Sequence, residues 1–204
     1  MMKRDADDMC DFFDGVARRG QWHTFDEDEI PLLNHMLDLW GLKPGMRVLE
    51  PGCGRGRLTS LLAAAVGERG SVVAIDIAEE MVRACRARGL PPHVELLNCA
   101  LFDLPPGLPP FHKVICCNVW PHLLNPRQVL NKLRDVLRTG GDLWIAHLTG
   151  REAINEIHRN AGADVCDHLL APAQELSALI ADCGFVVNDF EDSADRYWIH
   201  AEKG

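Results

Sequence analysis

Three glycines at alternate positions, Gly52, Gly54 and Gly56, follow Val48-Leu49-Glu50-Pro51, and an acid, Asp76, lies 20 residues beyond the last of them. Glycine lets a backbone turn tightly and approach a ligand closely, and a helix that starts at such a turn offers free N–H groups to a negative atom. An acid at the end of the next strand is the residue that meets ribose hydroxyls in doubly wound folds. A dinucleotide fingerprint would carry its third glycine at position 57, where this chain has Arg57. The pattern therefore points to a nucleoside-bearing ligand and away from a nicotinamide-dependent oxidoreductase.

A second group of residues suits acid–base work. His122 closes Asn118-Val119-Trp120-Pro121-His122, His147 ends a short apolar run, and His158 lies in the helix-like stretch Arg151–Ala161. Imidazole titrates near neutrality, which fits a general base for an acceptor that must lose a proton. Trp120 offers a flat apolar surface, and the guanidinium of Arg151 or Arg159 matches a carboxylate bidentately. The same histidines with Asp167 or His168 would be chemically competent metal donors. Nothing in their spacing demands a metal, and none is assigned.

The elements that must position these residues are legible in the hydrophobic pattern. Ile30, Leu33, Leu37 and Trp40 recur at helical spacing, with Pro31 in a first turn and Gly41 as a stop. From about residue 42, short apolar runs alternate with helical patterns. Arg47–Glu50 reads as a strand, and the helix after the glycine turn carries Leu58, Leu61, Leu62 and Ala65. Val72–Ile75 is a strand and Glu79–Arg88 a helix; Val94–Leu97 and Lys113–Cys117 are two further strands. Asn125-Pro126 reads as a cap and first-turn proline, opening a helix through Val129, Leu130, Leu133, Val136 and Leu137 that Gly140-Gly141 ends. Leu143–Ala146 is a fifth strand. A helix through Leu176, Leu179, Ile180 and Cys183 then leads into Phe185–Phe190 and Arg196–Ala201, an antiparallel hairpin. Strand–helix alternation implies a parallel sheet covered on both faces, with ligands bound beyond the carboxyl ends of the strands.

Composition narrows the function classes. The 204 residues carry 47% hydrophobic and 25% charged residues, which excludes a disordered chain. The formal charge of −9 disfavours nucleic acid as a partner. No apolar run approaches a membrane span, and the polar N-terminus does not read as a secretory signal. Eight cysteines without a C-x-x-C pair read as reduced thiols, and Cys116 and Cys117, adjacent on a strand, point to opposite faces. A cytoplasmic protein without a membrane partner is expected.

With these residues in place, the chain resembles the class I S-adenosylmethionine-dependent methyltransferases. "VLEPGCGRG", "VVAIDIAEEMV", "VELLNCALFDLP", "FHKVICCNVWPHL" and "VLNKLRDVLRTGGDLWIAH" are similar to that family's successive motifs, in order and at family spacing. "FFDGVARRGQWHT" is similar to the opening of its small-molecule members, whose first helices cap the cofactor.

The resemblance implies an α/β fold: a doubly wound, seven-stranded Rossmann-like sheet with a C-terminal antiparallel hairpin. It implies S-adenosyl-L-methionine as cofactor. Glu50, Gly52 and Gly54 would lie beside its methionine part, Asp76 on the ribose, and Ile77 against the adenine. Cys99 stands where the family usually has an Asp facing the adenine amino group, so the backbone of Ala100 would serve there. Asn118 would sit near the methyl group. The catalytic candidates are then His122, His147 and Asn118, and the substrate-binding candidates Trp120, His158 and Arg151. Residues 1–41 form an N-terminal helical cap and 42–204 the catalytic domain, with a lid-like insertion at 149–170. The acceptor is expected to be a small molecule, and the segment at 118–121 lacks the paired prolines of amine methyltransferases. A non-catalytic cofactor-binding module and an RNA or protein methyltransferase are the rival readings. The oligomeric state is left open, a homodimer included.

Overall fold

The computed structural model describes residues 2–19, 29–161, 163 and 165–204. The last part of the N-terminal motif, from Gly20 to Thr24, lies outside the described residues. Two helices, α1 (Met2–Arg19) and α2 (Glu29–Trp40), precede the alternating part of the chain. That part runs β1 (Arg47–Pro51), α3 (Arg57–Val66), β2 (Ser71–Asp76), α4 (Glu79–Arg86), β3 (Val94–Asn98), β4 (Phe111–Cys117), α5 (Pro126–Val136) and β5 (Leu137–His147). Helices α6 (Arg151–Asn160) and α7 (Ala173–Asp182) lead to β6 (Phe185–Asp192) and β7 (Tyr197–Lys203).

The seven strands order as β3-β2-β1-β4-β5-β7-β6. Strands β1 to β5 pair in parallel, β7 runs antiparallel between β5 and β6, and β6 forms the edge. This is the α/β sheet with a terminal hairpin that strand–helix alternation implies. Alternation along each strand divides the core between its two faces. Leu49, Val73, Val114 and Leu143 face Val129, Leu133 and Ile180 of α5 and α7. Val48, Val72, Ile115 and Trp144 face Leu33, Met36, Trp40, Leu58 and Leu62 of α2 and α3. Each such aliphatic side chain, taken fully out of water, stabilises the fold by about 1.5–3 kcal/mol. Cys116 packs on the first face and Cys117 against the second.

Some local expectations change in the folded chain. Helix α3 buries Leu58, Thr59, Leu62, Ala63 and Val66, whereas Leu61 is 37% exposed. The apolar stripe is therefore rotated toward Thr59, whose hydroxyl has a buried partner. Helix α5 stops at Val136, before the glycine pair. Leu137 already pairs with Phe111 and the next paired residue of β5 is Asp142, opposite Lys113, so Gly140-Gly141 lie in a wide bulge at the start of β5. Asn125 does stand at the N-cap of α5, but it caps with its backbone. At φ +61° its carbonyl accepts from Gln128 N (2.9 Å) and Val129 N (3.1 Å).

Parallel register brings the strand ends level. Pro51 lies beside Ile75, Asp76 beside Asn98, and Cys117 beside Ala146, while Asn118 N donates to Ala146 O at 2.8 Å. The strand order reverses between β1 and β4, the switch point at which a ligand crevice opens in such sheets.

Candidate cofactor and acceptor site

A cavity of about 320 Å³ occupies that switch point, within the size range of small-ligand sites. Its floor is the glycine turn, Pro51, Gly52 and Gly54; one end is Asp76, Ile77, Cys99 and Ala100, and the other is Asn118, Val119 and His122. Gly52 sits at φ +70°, and a Cβ there would fall 2.3 Å from Val119 Cγ2. Gly54 sits at φ +51°, and a Cβ there would meet nothing within 4 Å. The two glycines thus serve different ends. Gly52 lets β1 and the segment after β4 approach, and Gly54 lies along the cavity wall with space beyond it.

Asp76 organises the turn. Its Oδ2 accepts from Gly54 N at 2.8 Å and its Oδ1 from Ala78 N at 2.9 Å, so one carboxylate joins the glycine turn to the start of α4. Burial raises its pKa, against the lowering effect of those backbone donors. Asn98 Nδ2 donates to Asp76 O and Ile77 O, both at 3.0 Å, which sets the turn after β2. Helix α4 has no side-chain cap at Ala78, and α1 supplies the deficit: Asp14 Oδ1 accepts from Glu80 N at 2.9 Å. This anion at a helix N-terminus is favourable to the dipole. It holds α1 over the site, where Met9 and Phe13 line the cavity and Cys10 Sγ contacts Ile77 O at 3.2 Å.

The other half of the expected N-terminal cap behaves differently. Helix α2 buries Leu33, Met36 and Trp40 in the core on the α3 face and does not line the cavity.

Glu50 is 2% exposed and lies off the cavity wall. Its Oε2 accepts from Thr59 Oγ1 at 2.6 Å, tying the end of β1 to the first turn of α3. Burial pushes its pKa up to about 8, and the Thr59 hydrogen bond offsets only part of that.

Around His122 the structure collects imidazoles that are distant in sequence. The His122 ring lies edge-on to Phe13, with centroids 5.0 Å apart, and 4.9 Å from the His158 ring. His122 Nδ1 lies 3.2 Å from His168 Nδ1. His158 Nδ1 in turn meets the backbone carbonyl of His168. Asn155, 3% exposed, secures the segment: its Nδ2 donates to Leu170 O at 3.0 Å and its Oδ1 accepts from Leu170 N at 2.7 Å. Desolvation, reinforced by the neighbouring histidines, lowers the pKa of His122 to about 3, so its imidazole is neutral at pH 7. Among the described residues, no group of three or more His, Cys, Asp or Glu side chains is arranged to hold a metal ion.

Of the residues singled out by sequence, Gly52, Gly54, Asp76, Ile77, Cys99, Ala100, Asn118 and His122 share the cavity. Besides Glu50, four others are placed elsewhere. His147 ends β5 but is 5% exposed, off the cavity wall, with Nε2 unpartnered and its pKa lowered to about 3 by burial. Trp120 is 6% exposed and belongs to the core on the α5 face. Arg151 is held by Asp192, with Nε 3.0 Å from Oδ2 and 3.2 Å from Oδ1, and also pairs with Glu152. His158 stands behind His122 and not on the wall itself.

Residues not anticipated on the wall include Leu123, Leu124, Asn125 and Val129 after β4 and Leu101 and Phe102 after β3. Their sole sequence signal was position after a strand's carboxyl end. His168 gave no signal beyond its residue type.

The family profile described as Methyltransferase domain matches residues 48–141, the stretch from β1 to the middle of β5. A solved S-adenosylmethionine-dependent methyltransferase from Aquifex aeolicus superposes with a TM-score of 0.71 at 25% identity, covering 92% of this chain and 97% of that one. An uncharacterised 37.1 kDa protein of transposon TN4556 from Streptomyces fradiae is 33% identical over 166 residues, 74% of this chain and 47% of its own length. A ubiquinone biosynthesis O-methyltransferase of Xylella fastidiosa is 33% identical over 105 residues, 50% of this chain and 42% of that protein. The chain thus spans about half the length of these curated relatives.

The sheet order and the crevice at its switch point define a class I, Rossmann-like methyltransferase fold. Residues 48–141 carry a methyltransferase domain, and the glycine turn, Asp76 and the adjoining cavity fit in kind the S-adenosylmethionine that such domains use.

Proposed function

We propose that the protein methylates a small, uncharged acceptor at a protic atom, with His122 as the base that receives the proton. The observation that carries this reading is the single cavity wall on which the glycine turn and Asp76 occupy one end and Asn118 and His122 the other. When bound, S-adenosylmethionine supplies an electrophilic methyl carbon on a sulfonium. Asp76 would accept hydrogen bonds from the ribose, and the Gly52–Gly54 backbone would accommodate the methionine part. Asn118 is held by its own Oδ1, which accepts from Leu148 N at 3.2 Å, and its φ of +54° directs the chain sharply away after β4.

The acceptor end is apolar, formed by Phe13, Leu123, Leu124 and Val129 beside His122. No lysine or arginine lines the cavity, and Asp76 is the only charged side chain on its wall among the described residues. A phosphate backbone or a free carboxylate would find no counter-charge there, and burying an unpaired charge is costly. An apolar molecule with one hydroxyl or thiol would be matched. A neutral His122 accepts its hydrogen bond and orients the lone pair of the nucleophile. Placement and exclusion of water then supply most of the rate advantage. Helix α1 and the segment 149–170 are assigned as cap and lid for that purpose, because Met9 and Phe13 come from the first and the partners of His122 from the second.

Parallel calorimetric titration with S-adenosylmethionine, S-adenosylhomocysteine and NADH tests the cofactor. Binding of the two adenosyl compounds and not NADH is expected. A labelled-methyl screen of phenols, thiols, amines and carboxylic acids then tests the acceptor. Transfer confined to amines or carboxylates would refute the assignment of a hydroxyl or thiol acceptor.

A further inference from the structure

We infer that His168, carried by the segment after α6, is a positioning residue that fixes His122 in the tautomer with its proton on Nδ1 and its lone pair on Nε2. The contact is geometric, while the direction of its hydrogen bond rests on the methyl-transfer reading, because an Nδ1–Nδ1 distance of 3.2 Å fits donation either way. His122 Nδ1 and His168 Nδ1 are 3.2 Å apart, so one nitrogen carries the proton and the other accepts it. With Nδ1 engaged by His168, Nε2 is the ring nitrogen left for an acceptor in the cavity that His122 lines.

A chain of contacts holds His168 in place for this. A backbone carbonyl only accepts, so His158 Nδ1 carries a hydrogen and donates it to His168 O. Asn155, three residues before His158 on α6, grips both backbone groups of Leu170, two residues after His168. The segment is thus pinned at His168 and two residues beyond it, and His158 and Asn155 are supports for one imidazole.

The direction of the His122–His168 hydrogen bond decides the chemistry. If His122 Nδ1–H donates to His168, its Nε2 accepts the acceptor's proton: the acceptor O–H or S–H bond breaks, an N–H bond forms on Nε2, and the freed electron pair forms the bond to the methyl carbon. S-adenosylmethionine, when bound, would supply that carbon and take up the electron pair of its bond to sulfur, which leaves the positive charge on the His122 imidazole. If His168 donates instead, Nε2 of a neutral His122 already holds a hydrogen and has no capacity as a base.

The test is nitrogen-15 NMR of the full chain with labelled histidine, without any acceptor. The His122 signals are assigned by their absence in His122→Gln. The expected result is His122 with Nδ1 in the protonated range and Nε2 in the unprotonated range. His168→Leu should exchange those two ranges or average them, and His168→Asn, whose Oδ1 stands near the lost Nδ1, should restore the original pattern. Wild-type His122 protonated on Nε2, or a pattern unmoved by His168→Leu, overturns the inference. Adenosyl-compound calorimetry on the same samples separates this from failure of the methyl-transfer reading, since cofactor binding does not require the tautomer.

Discussion

Replacing Glu50 with Gln should stabilise the protein increasingly as pH rises. Glu50 is 2% exposed, and burial raises its pKa from an ordinary 4.5 to about 8. The folded chain therefore holds this proton through a range in which the unfolded chain releases it, and stability falls as pH rises from 4.5 toward 8. Between pH 5 and 7.5 the group loses close to two and a half pH units at about 1.36 kcal/mol each, or about 3 kcal/mol. Glutamine imitates the protonated carboxyl: its amide oxygen accepts from Thr59 Oγ1, and its N–H takes the place of the acid O–H. It does not titrate. Urea unfolding of wild type and Glu50→Gln at the two pH values gives a double difference in which Asp76 and the histidines cancel. The expected outcome is near-equal stability at pH 5 and an advantage of about 3 kcal/mol for the variant at pH 7.5. A difference that does not change with pH, or a variant weaker at pH 7.5, would show that Glu50 is ionised in the folded protein and refute the reasoning.

Other substitutions probe the same framework. Asp76→Ala removes the acceptor of Gly54 N and Ala78 N and should weaken S-adenosylmethionine binding by about 1.5–3 kcal/mol in calorimetry; unchanged affinity would remove Asp76 from the site. Gly52→Ala places a methyl 2.3 Å from Val119 Cγ2 at φ +70° and should cost about 2 kcal/mol or more in chemical unfolding, whereas Gly54→Ala meets no protein atom and should cost about 1 kcal/mol of backbone strain at φ +51° besides weakening cofactor binding. Arg151→Ala breaks a partly exposed pair with Asp192 and should cost about 1 kcal/mol or less in stability while leaving the Michaelis constant for the acceptor unchanged. A large rise in that constant would return Arg151 to substrate binding.

The local features legible in the sequence were those governed by short-range rules. The glycines at 52, 54 and 56 all have positive φ, and short apolar runs place β1, β2 and β3 within a residue of their observed bounds. Asp76 and Asn118 fall at strand ends because alternation marks where a strand stops, and parallel order then levels those ends. The misread boundary of α5 had a local cause too: glycines suit a helix end and a strand bulge equally, and pairing with β4 decided for the bulge.

What tertiary structure decided was partnership. Arg151, Glu50 and Trp120 have residue types suited to a ligand, yet Asp192, Thr59 and the core on the α5 face engage them first. His122 and His168 lie 46 residues apart, and no periodicity relates them. They meet because α6 presents Asn155 and His158, which fold the following segment back across the end of β4. Sequence spacing encodes the backbone path and the face on which a side chain lies. Which polar group a buried side chain finds depends on every element packed around it, because desolvation makes each of them compete for the few partners within reach.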